Sequence, residues 1–471
     1  MPKTLEGIGC PFCGCSCDDV RVIVSDDEKK ILEVENACAI GTEIFLQATN
    51  HERITKPRIR QPDGNVKEIS YDEAADYVAK AIMNSKKPLM YGFGSTTCEA
   101  QRAAARLMEL SGGILDNCAS ICHGPSLMAF FDNGHPTCTL GEVKNRADVI
   151  LYWGANPVHA HPRHMARYST YPFGFFKGNG FLERTVIVVD PRKTDTAGVA
   201  DYHLQIKQGF DYELFNAFRM VMYGHEQDIP DMVADVPKQS ILEVAKILKE
   251  AKFGVCFFGM GLTHTKGRNH NVDIAISLMR DLNAVSKWSI MAMRGHFNIA
   301  GPNKVWSWTY GFPFCVDLTR GDRAHMNPGE TSTIDLAIRD EIDLFINIGT
   351  DAAANFPIDA VKHLKKHPWI TIDPNLSMAA DIADLHIPVG ISGVEVSGIV
   401  YRMDNVPIQY RKVIDMPEGM LSDEELLDRI SDRLEELIQE KVKAEKKKPE
   451  LISSEPVLCT SHSAPPLNET G

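Results

Sequence analysis

Short apolar runs separated by amphipathic stretches dominate the middle of the chain. Segments such as DVILYWG, TVIVVD and DLFINIG end a hydrophobic run with Gly or Asp, and TTCEAQRAAARLMELSG has the pattern of an amphipathic helix. Buried strands alternating with such helices are typical of parallel sheets covered on both faces. Together with KPLMYGFG, FGVCFFG, PWITID and DLHIPV, at least seven strands are expected. The pattern predicts an α/β protein with two nucleotide-fold-like, parallel-sheet lobes.

The pattern changes at both ends of the chain. Residues 20–60 alternate in short stretches such as DVRVIVSD and KILEVEN, which indicates a small β unit. Ser422 and Glu425 have capping-box spacing, and one helix face then carries Leu426, Ile430, Leu434, Leu437 and Ile438. We therefore predict a small N-terminal β domain (1–62), two interleaved α/β lobes (63–420) and a C-terminal helix with a tail (421–471). The tail is expected to be disordered because it has few apolar residues.

Composition and charge narrow the class of protein. A chain of 471 residues exceeds the size at which one core keeps growing, so several domains are expected. The 50 basic and 63 acidic residues give a net charge of -13, and no basic stripe with aromatics is present, so nucleic-acid binding is not expected. The first residues, MPKTLEGIGC, lack the features of a secretory signal, and the apolar runs are too short for a membrane span. A cytoplasmic protein is expected.

The segment GCPFCGCSCDD concentrates sulfur ligands near the start of the chain. Cys10, Cys13 and Cys17 have the spacing C-x2-C-x3-C. Cys38 follows alone, and Cys15 is left over. An intracellular setting argues against a disulfide framework, and zinc sites generally use paired knuckles. The three-plus-one arrangement favours a 4Fe-4S cluster, with a zinc site as the alternative. Cys15 is interpreted as a thiol that does not bind the cluster.

Residues at the carboxyl ends of the predicted strands could hold a large ligand, since ligands of open parallel sheets collect there. Glycines let backbone amides approach phosphates, and an Asp that closes a strand can bind ribose hydroxyls or a guanine edge. The predicted cofactor-binding residues are Gly154, Asn156, Pro157, Asp190, Arg192, Gly259, Gly261, Thr263, Gly349, Asp351 and Asp373. No G-x-G-x-x-G follows a strand and no G-x-x-x-x-G-K-[ST] is present, so simple NAD and ATP sites are not expected. Each turn alone has an ordinary structural explanation, but together they predict a phosphate-bearing ligand held at several points.

Two further segments carry candidate catalytic side chains. In NCASICHGPS, Cys122 precedes an expected helix start that would favour the thiolate, and His123 can carry a proton near neutral pH. In MAMRGHFN, Arg294 follows an apolar strand and has the fork that clamps a carboxylate. The alternatives are an inert buried thiol and a surface or phosphate-contacting arginine. Two histidine pairs lack a third ligand at metal-site spacing and are interpreted as core or channel residues: His159/His161 and His264/His270.

Taken together, CPFCGCSCDD, ACAIG, SICHGPS and MRGHFN resemble the molybdopterin-guanine-dinucleotide oxidoreductases. The chain is more closely similar to the tungsten- or molybdenum-binding subunit of the formylmethanofuran dehydrogenases, over about residues 5 to 420. The resemblance implies a tungsten or molybdenum ion held by two molybdopterin guanine dinucleotides, an inorganic sulfide and Cys122. It also implies proton transfer by His123 and orientation of formate or CO2 by Arg294. The cluster ligands that it implies are Cys10, Cys13, Cys17 and Cys38.

The resembled family reduces CO2 to formate with electrons that enter through the cluster. The resemblance therefore implies three partners: a dinuclear-zinc amidohydrolase-like subunit that condenses formate with methanofuran, a small subunit that supplies a pterin-capping β-barrel, and a ferredoxin-like iron-sulfur electron donor subunit. The chain itself is expected to lack that C-terminal barrel, and Ile40 stands where larger formate dehydrogenases have a lysine. A self-contained formate dehydrogenase and a metal-free electron-transfer scaffold are the alternatives.

Overall fold

The structure is a computed structural model that describes residues 1–49, 53–321 and 323–446. Its central strands are short, apolar and buried on both faces. In chain order the strands are β1 (Lys3–Ile8), β2 (Val20–Val24), β3 (Ile31–Glu35), β4 (Arg58–Arg60), β5 (Val66–Glu68), β6 (Pro88–Gly92), β7 (Ile114–Asn117), β8 (Val149–Trp153), β9 (Thr185–Val189), β10 (Tyr202–Leu204), β11 (Met232–Val233), β12 (Val236–Pro237), β13 (Gly254–Phe258), β14 (Trp288–Ala292), β15 (Val316–Asp317), β16 (Leu344–Ile348), β17 (Trp369–Ile372), β18 (Leu385–Ile387), β19 (Gly398–Tyr401) and β20 (Pro407–Tyr410).

Helices connect most of these strands and cover the sheets. In chain order they are α1 (Ala39–Gln47), α2 (Tyr71–Asn84), α3 (Cys98–Ser111), α4 (Ala119–Cys122), α5 (Gly124–Asn133), α6 (Leu140–Arg146), α7 (Pro157–Ala160), α8 (His164–Arg167), α9 (Asp195–Gly198), α10 (Asp211–Met222), α11 (Lys238–Glu250), α12 (Met260–Thr263), α13 (Asn269–Leu282), α14 (Ala300–Tyr310), α15 (Thr333–Ile338), α16 (Ala352–Asn355), α17 (Ile358–Leu364), α18 (Met378–Ile382) and α19 (Asp423–Lys446). Short 3-10 turns lie at Gly180–Glu183 and Glu226–Asp228. Local sequence sets these bounds: a capping box of Ser70 and Glu73 starts α2, and Gly112, in the left-handed conformation, ends α3.

The larger sheet has eight strands in the order β15-β7-β6-β16-β17-β18-β4-β5. Five inner strands run parallel to one another: β7, β6, β16, β17 and β18. The strands at both edges, β15 on one side and β4 and β5 on the other, pair antiparallel. Ile346 in β16 pairs with Met90 on one side and Ile370 on the other, so apolar side chains meet across the centre. The predicted parallel sheet is confirmed for this lobe.

The second large sheet has five strands in the order β10-β9-β8-β13-β14, all parallel. Leu151 in β8 pairs with Ile187 and with Cys256, and all three are buried. Its strands lie between β7 and β15 in the sequence, so this lobe is inserted into the first. The carboxyl ends of parallel strands share one edge of a sheet, which brings distant loops together.

The N-terminal unit is a three-stranded antiparallel sheet, β1-β2-β3. The cysteine-rich segment is the loop between β1 and β2, and α1 follows β3. β4 pairs with β18, so residues 58–60 join the eight-stranded sheet although they precede the boundary predicted at residue 62.

The C-terminal helix α19 packs along α2 and α3. The predicted capping box is confirmed, since the Ser422 N–H donates to Glu425 Oε2 over 2.8 Å and the Glu425 N–H donates to Ser422 Oγ over 3.2 Å. The predicted apolar face packs into the core of the eight-stranded lobe through Leu426, Ile430, Leu434, Leu437 and Ile438. The tail prediction for residues 447–471 lies outside the described residues. No helix in the described ranges combines the length and apolar character needed to cross a bilayer.

Candidate active site

The loop between β1 and β2 brings thiols to one small cavity. Cys10, Cys13 and Cys17 are buried there, and Cys38 caps the N-terminus of α1. The Gly41 N–H donates to Cys38 Sγ over 3.4 Å. All four cysteines line the same cavity, so the structure brings the predicted cluster ligands together.

Glycine at position 41 leaves room beside these thiols. A Cβ on Gly41 would lie 2.8 Å from Cys10 Sγ and 3.6 Å from Cys38 Sγ. Burial raises the pKa of Cys17 to about 11, so a cationic partner is needed to stabilise its thiolate. Within the described residues, no three His, Cys, Asp or Glu side chains converge as ligands of a single ion. Four thiols around a shared cavity fit a cluster, which is held by four thiolates.

Cys15 also lines this cavity but contacts a histidine. Its Sγ lies 3.8 Å from His164 Nδ1, and the Tyr168 hydroxyl donates to the Cys15 carbonyl over 3.3 Å. Burial and the neighbouring Cys13 raise the pKa of Cys15 well above its ordinary value, which keeps the proton on its sulfur. These contacts support the interpretation of Cys15 as a thiol outside the ligand set.

The cysteine loop is bonded directly to the loop that follows β14. The Gly14 N–H donates to the Gly295 carbonyl over 3.0 Å, and the Ser16 hydroxyl donates to the Phe297 carbonyl over 3.1 Å. A Cβ at position 14 would collide with the Arg294 carbonyl, so this approach requires glycine. The candidate cluster loop is thus fixed to the segment that carries Arg294.

Cys122 is the last residue of α4, and α5 begins at Gly124. Thr263 Oγ1 donates to the Cys122 carbonyl over 2.9 Å, which ties this junction to the segment after β13. The expected thiolate-favouring setting is not found: burial, and then Cys118, raise the pKa of Cys122 to about 12. A coordinated metal ion reverses this preference, because a coordinating thiol loses its proton.

His123 is buried beside Cys122 and bonded through both ring nitrogens. Its Nε2–H donates to the Met293 carbonyl over 3.3 Å, and its Nδ1, 3.0 Å from Ser126 Oγ, accepts from that hydroxyl. Burial, and then the charge of Arg294, lower the pKa of His123 to about 3. The imidazole is therefore neutral at pH 7, in contrast to the sequence expectation.

Arg294 places a buried positive charge near Cys122. The residue is only 5% exposed, and its guanidinium donates to Asn303 Oδ1 over 3.0 Å. Burial lowers the pKa of Arg294 to about 10, so it stays cationic at neutral pH. Its Nε has no partner among the described residues. A buried cationic donor with a free N–H fits an anionic ligand such as a carboxylate.

His161 is a site residue that sequence reasoning left among core or channel residues. Its Nε2–H donates to the Arg294 carbonyl over 2.8 Å, and its buried Nδ1 has no partner within the described residues. The two residues are 133 positions apart, so no spacing signals the contact. Cys118 is a second residue that sequence reasoning did not single out. Burial alone would raise the pKa of its thiol, but the neighbouring His296 lowers that pKa below its ordinary value.

The glycines after β8 and β13 pack against each other. A Cβ on Gly261 would lie 2.7 Å from Gly154 Cα, and the Gly261 N–H donates to the Gly154 carbonyl over 3.0 Å. The amides of Gly154 and Gly259 donate to the Val189 and Trp153 carbonyls. These three N–H groups are therefore engaged in holding the turns, and a role of these residues toward a phosphate stays a prediction.

Other predicted strand-end residues stabilise their own turns. Asn156 Oδ1 accepts from the Thr196 hydroxyl over 2.6 Å, and Pro157 is the first residue of α7. Asp190 Oδ1 accepts from the Arg192 N–H over 2.8 Å, and the Arg192 side chain is exposed. Their binding of a cofactor remains a prediction.

The eight-stranded lobe contributes a pocket next to the cysteine loop. Gly349, Asp373 and Pro11 line it, while Asp351 caps α16. Asp423 of α19 lines the same pocket, although the sequence placed that helix in a separate C-terminal segment. Burial raises the pKa of Asp373 and of Asp423 to about 7 each.

The sequence and the fold of this chain are similar to those of known proteins. A family model described as molybdopterin oxidoreductase matches residues 53–292. The chain is 47% identical over 439 residues to one of the subunits of the tungsten-containing formylmethanofuran dehydrogenase 2 of Methanocaldococcus jannaschii, covering 93% of this chain and 100% of that one.

Two solved structures share the fold. One is a chain of the X-ray structure of the formyltransferase/hydrolase complex (FhcABCD) from Methylorubrum extorquens in complex with methylofuran, with a TM-score of 0.65 and 22% identity, covering 82% of this chain and 99% of that chain. The other is acetylene hydratase from Pelobacter acetylenicus, with a TM-score of 0.71 and 13% identity, covering 92% of this chain and 69% of that chain.

Proposed function

This chain belongs to the molybdopterin oxidoreductases and, among them, to the family of that formylmethanofuran dehydrogenase subunit, and from this premise we propose that it reversibly reduces CO2 to formate. The reaction, CO2 + 2 e− + H+ → HCOO−, needs a source of single electrons, a two-electron centre, a proton and a group that holds the carboxylate. The chain offers candidate residues for each requirement.

The proposed cofactors are a 4Fe-4S cluster at Cys10, Cys13, Cys17 and Cys38, and a tungsten or molybdenum ion with two molybdopterin guanine dinucleotides, an inorganic sulfide and Cys122. When bound, the heavy metal supplies the two-electron chemistry and the cluster relays single electrons. Soft thiolate ligands suit both groups. The pterin dinucleotides would lie along the carboxyl ends of the strands of both lobes, beside the predicted strand-end residues.

Arg294 would bind and orient the carboxylate. Its guanidinium is buried, cationic and only partly paired, so it can form a charge-assisted bond to one oxygen of formate or CO2 without first losing solvent. Asn303 fixes one end of the guanidinium, and His161 fixes its main chain. Such preorganised positive charge stabilises the negative charge that develops on CO2 as it is reduced.

His123 would relay the proton and carry it only transiently, because the pKa of its ring is lowered to about 3. Because it is neutral, its Nδ1 lone pair can take a proton when formate is oxidised, and return it through the Ser126 hydroxyl in the reverse direction. The bond from Nε2 to the Met293 carbonyl fixes the ring in the tautomer that leaves Nδ1 as the acceptor.

We further propose that the chain works in a cytoplasmic assembly. Its partners would be the small subunit with the pterin-capping barrel that the chain is expected to lack, the ferredoxin-like electron donor, and the dinuclear-zinc subunit that receives formate. The predicted division into residues 1–62, 63–420 and 421–471 stays part of this proposal. The relative of known structure belongs to a complex of several subunits, which supports an assembly of this kind.

One observation carries the proposal: Arg294, whose charge lies near Cys122, follows β14 in a segment that is bonded to the cysteine loop between β1 and β2. Mass spectrometry of the native assembly, with iron counted per chain, tests it. We expect about four irons, one tungsten or molybdenum ion and two guanine dinucleotides per chain. Iron without a heavy metal would instead support an electron-transfer scaffold, and zinc in place of iron would contradict the cluster. Full activity of the chain without partners would support a self-contained formate dehydrogenase.

A further inference from the structure

The loop between α8 and β9 exposes an unusual number of large apolar side chains. We define the aromatic loop as residues 171–182; its exposed apolar side chains are Tyr171, Phe173, Phe175, Phe176, Phe181 and Leu182. Phe175 is 84% exposed, Leu182 75% and Phe173 72%. Single exposed apolar residues are ordinary on protein surfaces, but a contiguous group marks an interaction site.

The backbone of the aromatic loop is held firmly although its side chains project into solvent. Buried Arg184 donates to the carbonyls of Thr170, Pro172 and Lys144, over 3.2, 2.6 and 2.7 Å respectively. The Phe176 N–H donates to the Asn145 carbonyl over 3.1 Å.

Close packing adds to these bonds. A Cβ at Gly174 would collide with the Lys144 carbonyl, so the loop lies directly on the last turn of α6. The rings of Phe175 and Phe176 are in edge contact, with centroids 4.8 Å apart. A surface that is already ordered loses little conformational entropy on binding, which is a property of a preformed interface.

The charges around the aromatic loop select the kind of partner. Lys144 and Arg146 are exposed, Lys177 is half-buried, and the Arg146 guanidinium lies 4.6 Å from the Phe176 ring centroid. Two exposed acids, Glu183 and Glu142 of α6, accompany these three basic residues. This rim is basic although the whole chain has a net charge of -13. Two copies that met through this face would oppose like charges, because a two-fold interface pairs each patch with itself.

We propose that the aromatic loop is the docking site of a different protein subunit, one that presents an apolar surface edged with Asp and Glu side chains. Aromatic residues and arginine dominate the energetics of such interfaces. The rigid, strongly apolar face is typical of a permanent subunit contact rather than a transient redox encounter. This docking site depends on the proposed function in one respect only: both require that the chain works in an assembly of several subunits.

The first test uses the unmodified chain within its native assembly. Carbodiimide cross-linking followed by mass spectrometry should join Lys144 or Lys177 to an Asp or Glu of another subunit. Hydrogen exchange should show residues 171–182 protected in the assembly and accessible in the isolated chain. Cross-links only between copies of this chain, or a loop as accessible in the assembly as in isolation, would overturn the proposal.

The second test measures affinity with variants. The full-length double variant Phe173→Ser/Phe175→Ser is co-produced with the three subunits proposed above. It should bind the subunit that docks on the aromatic loop at least about ten-fold more weakly than the unmodified chain does. Trp308→Ser, which removes another exposed aromatic residue, should bind like the unmodified chain. Iron content and melting temperature report whether the variants fold. Unchanged affinity of the double variant, or binding of the loop to anionic phospholipid vesicles, would overturn the proposal. Metal and pterin content is scored separately, so an assembly with a covered loop but no heavy metal would refute only the proposed function.

Discussion

The ring of His161 holds the main chain of Arg294, through a hydrogen bond of 2.8 Å from Nε2–H to the carbonyl oxygen. The contact joins the segment after β8 to the segment after β14, two strands of the five-stranded sheet that are separated by β13. Since the guanidinium of Arg294 can only be as well placed as its backbone, His161 is a positioning residue.

Replacing His161 with Ala should therefore weaken substrate binding. Loss of one buried hydrogen bond costs about 1–3 kcal/mol, which predicts a rise in KM for formate of roughly ten-fold or more with a smaller change in kcat. His161→Gln retains a terminal N–H donor and should recover much of the loss. Steady-state kinetics with iron and heavy-metal content measured in parallel separate this effect from loss of cofactor. Equal KM values in all three proteins would contradict the positioning role.

Arg294→Lys should raise the KM for formate without loss of the heavy metal. A lysine keeps one positive charge but lacks the planar fork, so it cannot reproduce the fixed spacing of donors with which the guanidinium bonds to Asn303 and offers a second N–H to a carboxylate. We expect a rise of at least about ten-fold, because charge-assisted bonds are stronger than neutral ones. Arg280→Lys, on the exposed side of α13, is the matched control and should behave like the unmodified enzyme. An unchanged KM in Arg294→Lys would remove the clamp from the mechanism.

Cys122→Ala should abolish turnover while the iron content stays at its normal value. The thiol is proposed as a ligand of the heavy metal, whereas the four proposed cluster cysteines line a different cavity. Cys98→Ser provides a matched control, since Cys98 is a half-buried thiol in α3 whose pKa is also raised to about 12 by burial. Normal activity in Cys122→Ala would show that this sulfur is not a ligand.

Gly14→Ala should disturb the cluster and the substrate site together. The added methyl group would meet the Arg294 carbonyl, whereas a Cβ at neighbouring Gly295 has no heavy atom within 4 Å. We therefore expect Gly14→Ala to alter the electron paramagnetic resonance spectrum of the reduced cluster and to raise the KM for formate. Gly295→Ala should change neither property. The same response from both variants would mean that the two loops are not coupled through this contact.

The large elements of the fold could be predicted because their signals are local. Apolar runs such as Val149–Trp153 and Leu344–Ile348 predict buried strands, and the capping box at Ser422 predicts the start of α19. The order of strands in the sheets could not be derived in this way, because β8 pairs with β13 across about a hundred residues and no local pattern encodes that choice.

The site was only partly predictable for the same reason. Cysteine spacing identified the four thiols, which the structure brings to one cavity. Sequence position could not predict the burial of Cys122 and His123, which raises the pKa of the thiol and lowers that of the imidazole, because burial cannot be judged from neighbouring residues. Asp423 was missed because it reaches the pocket only through the packing of α19 on the lobe.

Asp423 should contribute stability to the chain that is present at about pH 4 and is lost as pH rises toward 7. Burial raises the pKa of Asp373 and Asp423 from 3.8 to about 7, so the folded chain keeps protons that the unfolded chain releases. The contribution of these two carboxyls to the free energy of unfolding therefore decreases between about pH 4 and 7 and levels off above that range, whereas buried His123, whose pKa is lowered from 6.5 to about 3, contributes in the opposite direction. Asp423→Asn removes one of these groups and should make the slope of the unfolding free energy against pH more positive in this range, whereas the exposed Asp428→Asn should leave the slope unchanged. Urea unfolding of the isolated chain at several pH values measures the slope; a slope unchanged by Asp423→Asn would show that this carboxyl does not hold the extra proton.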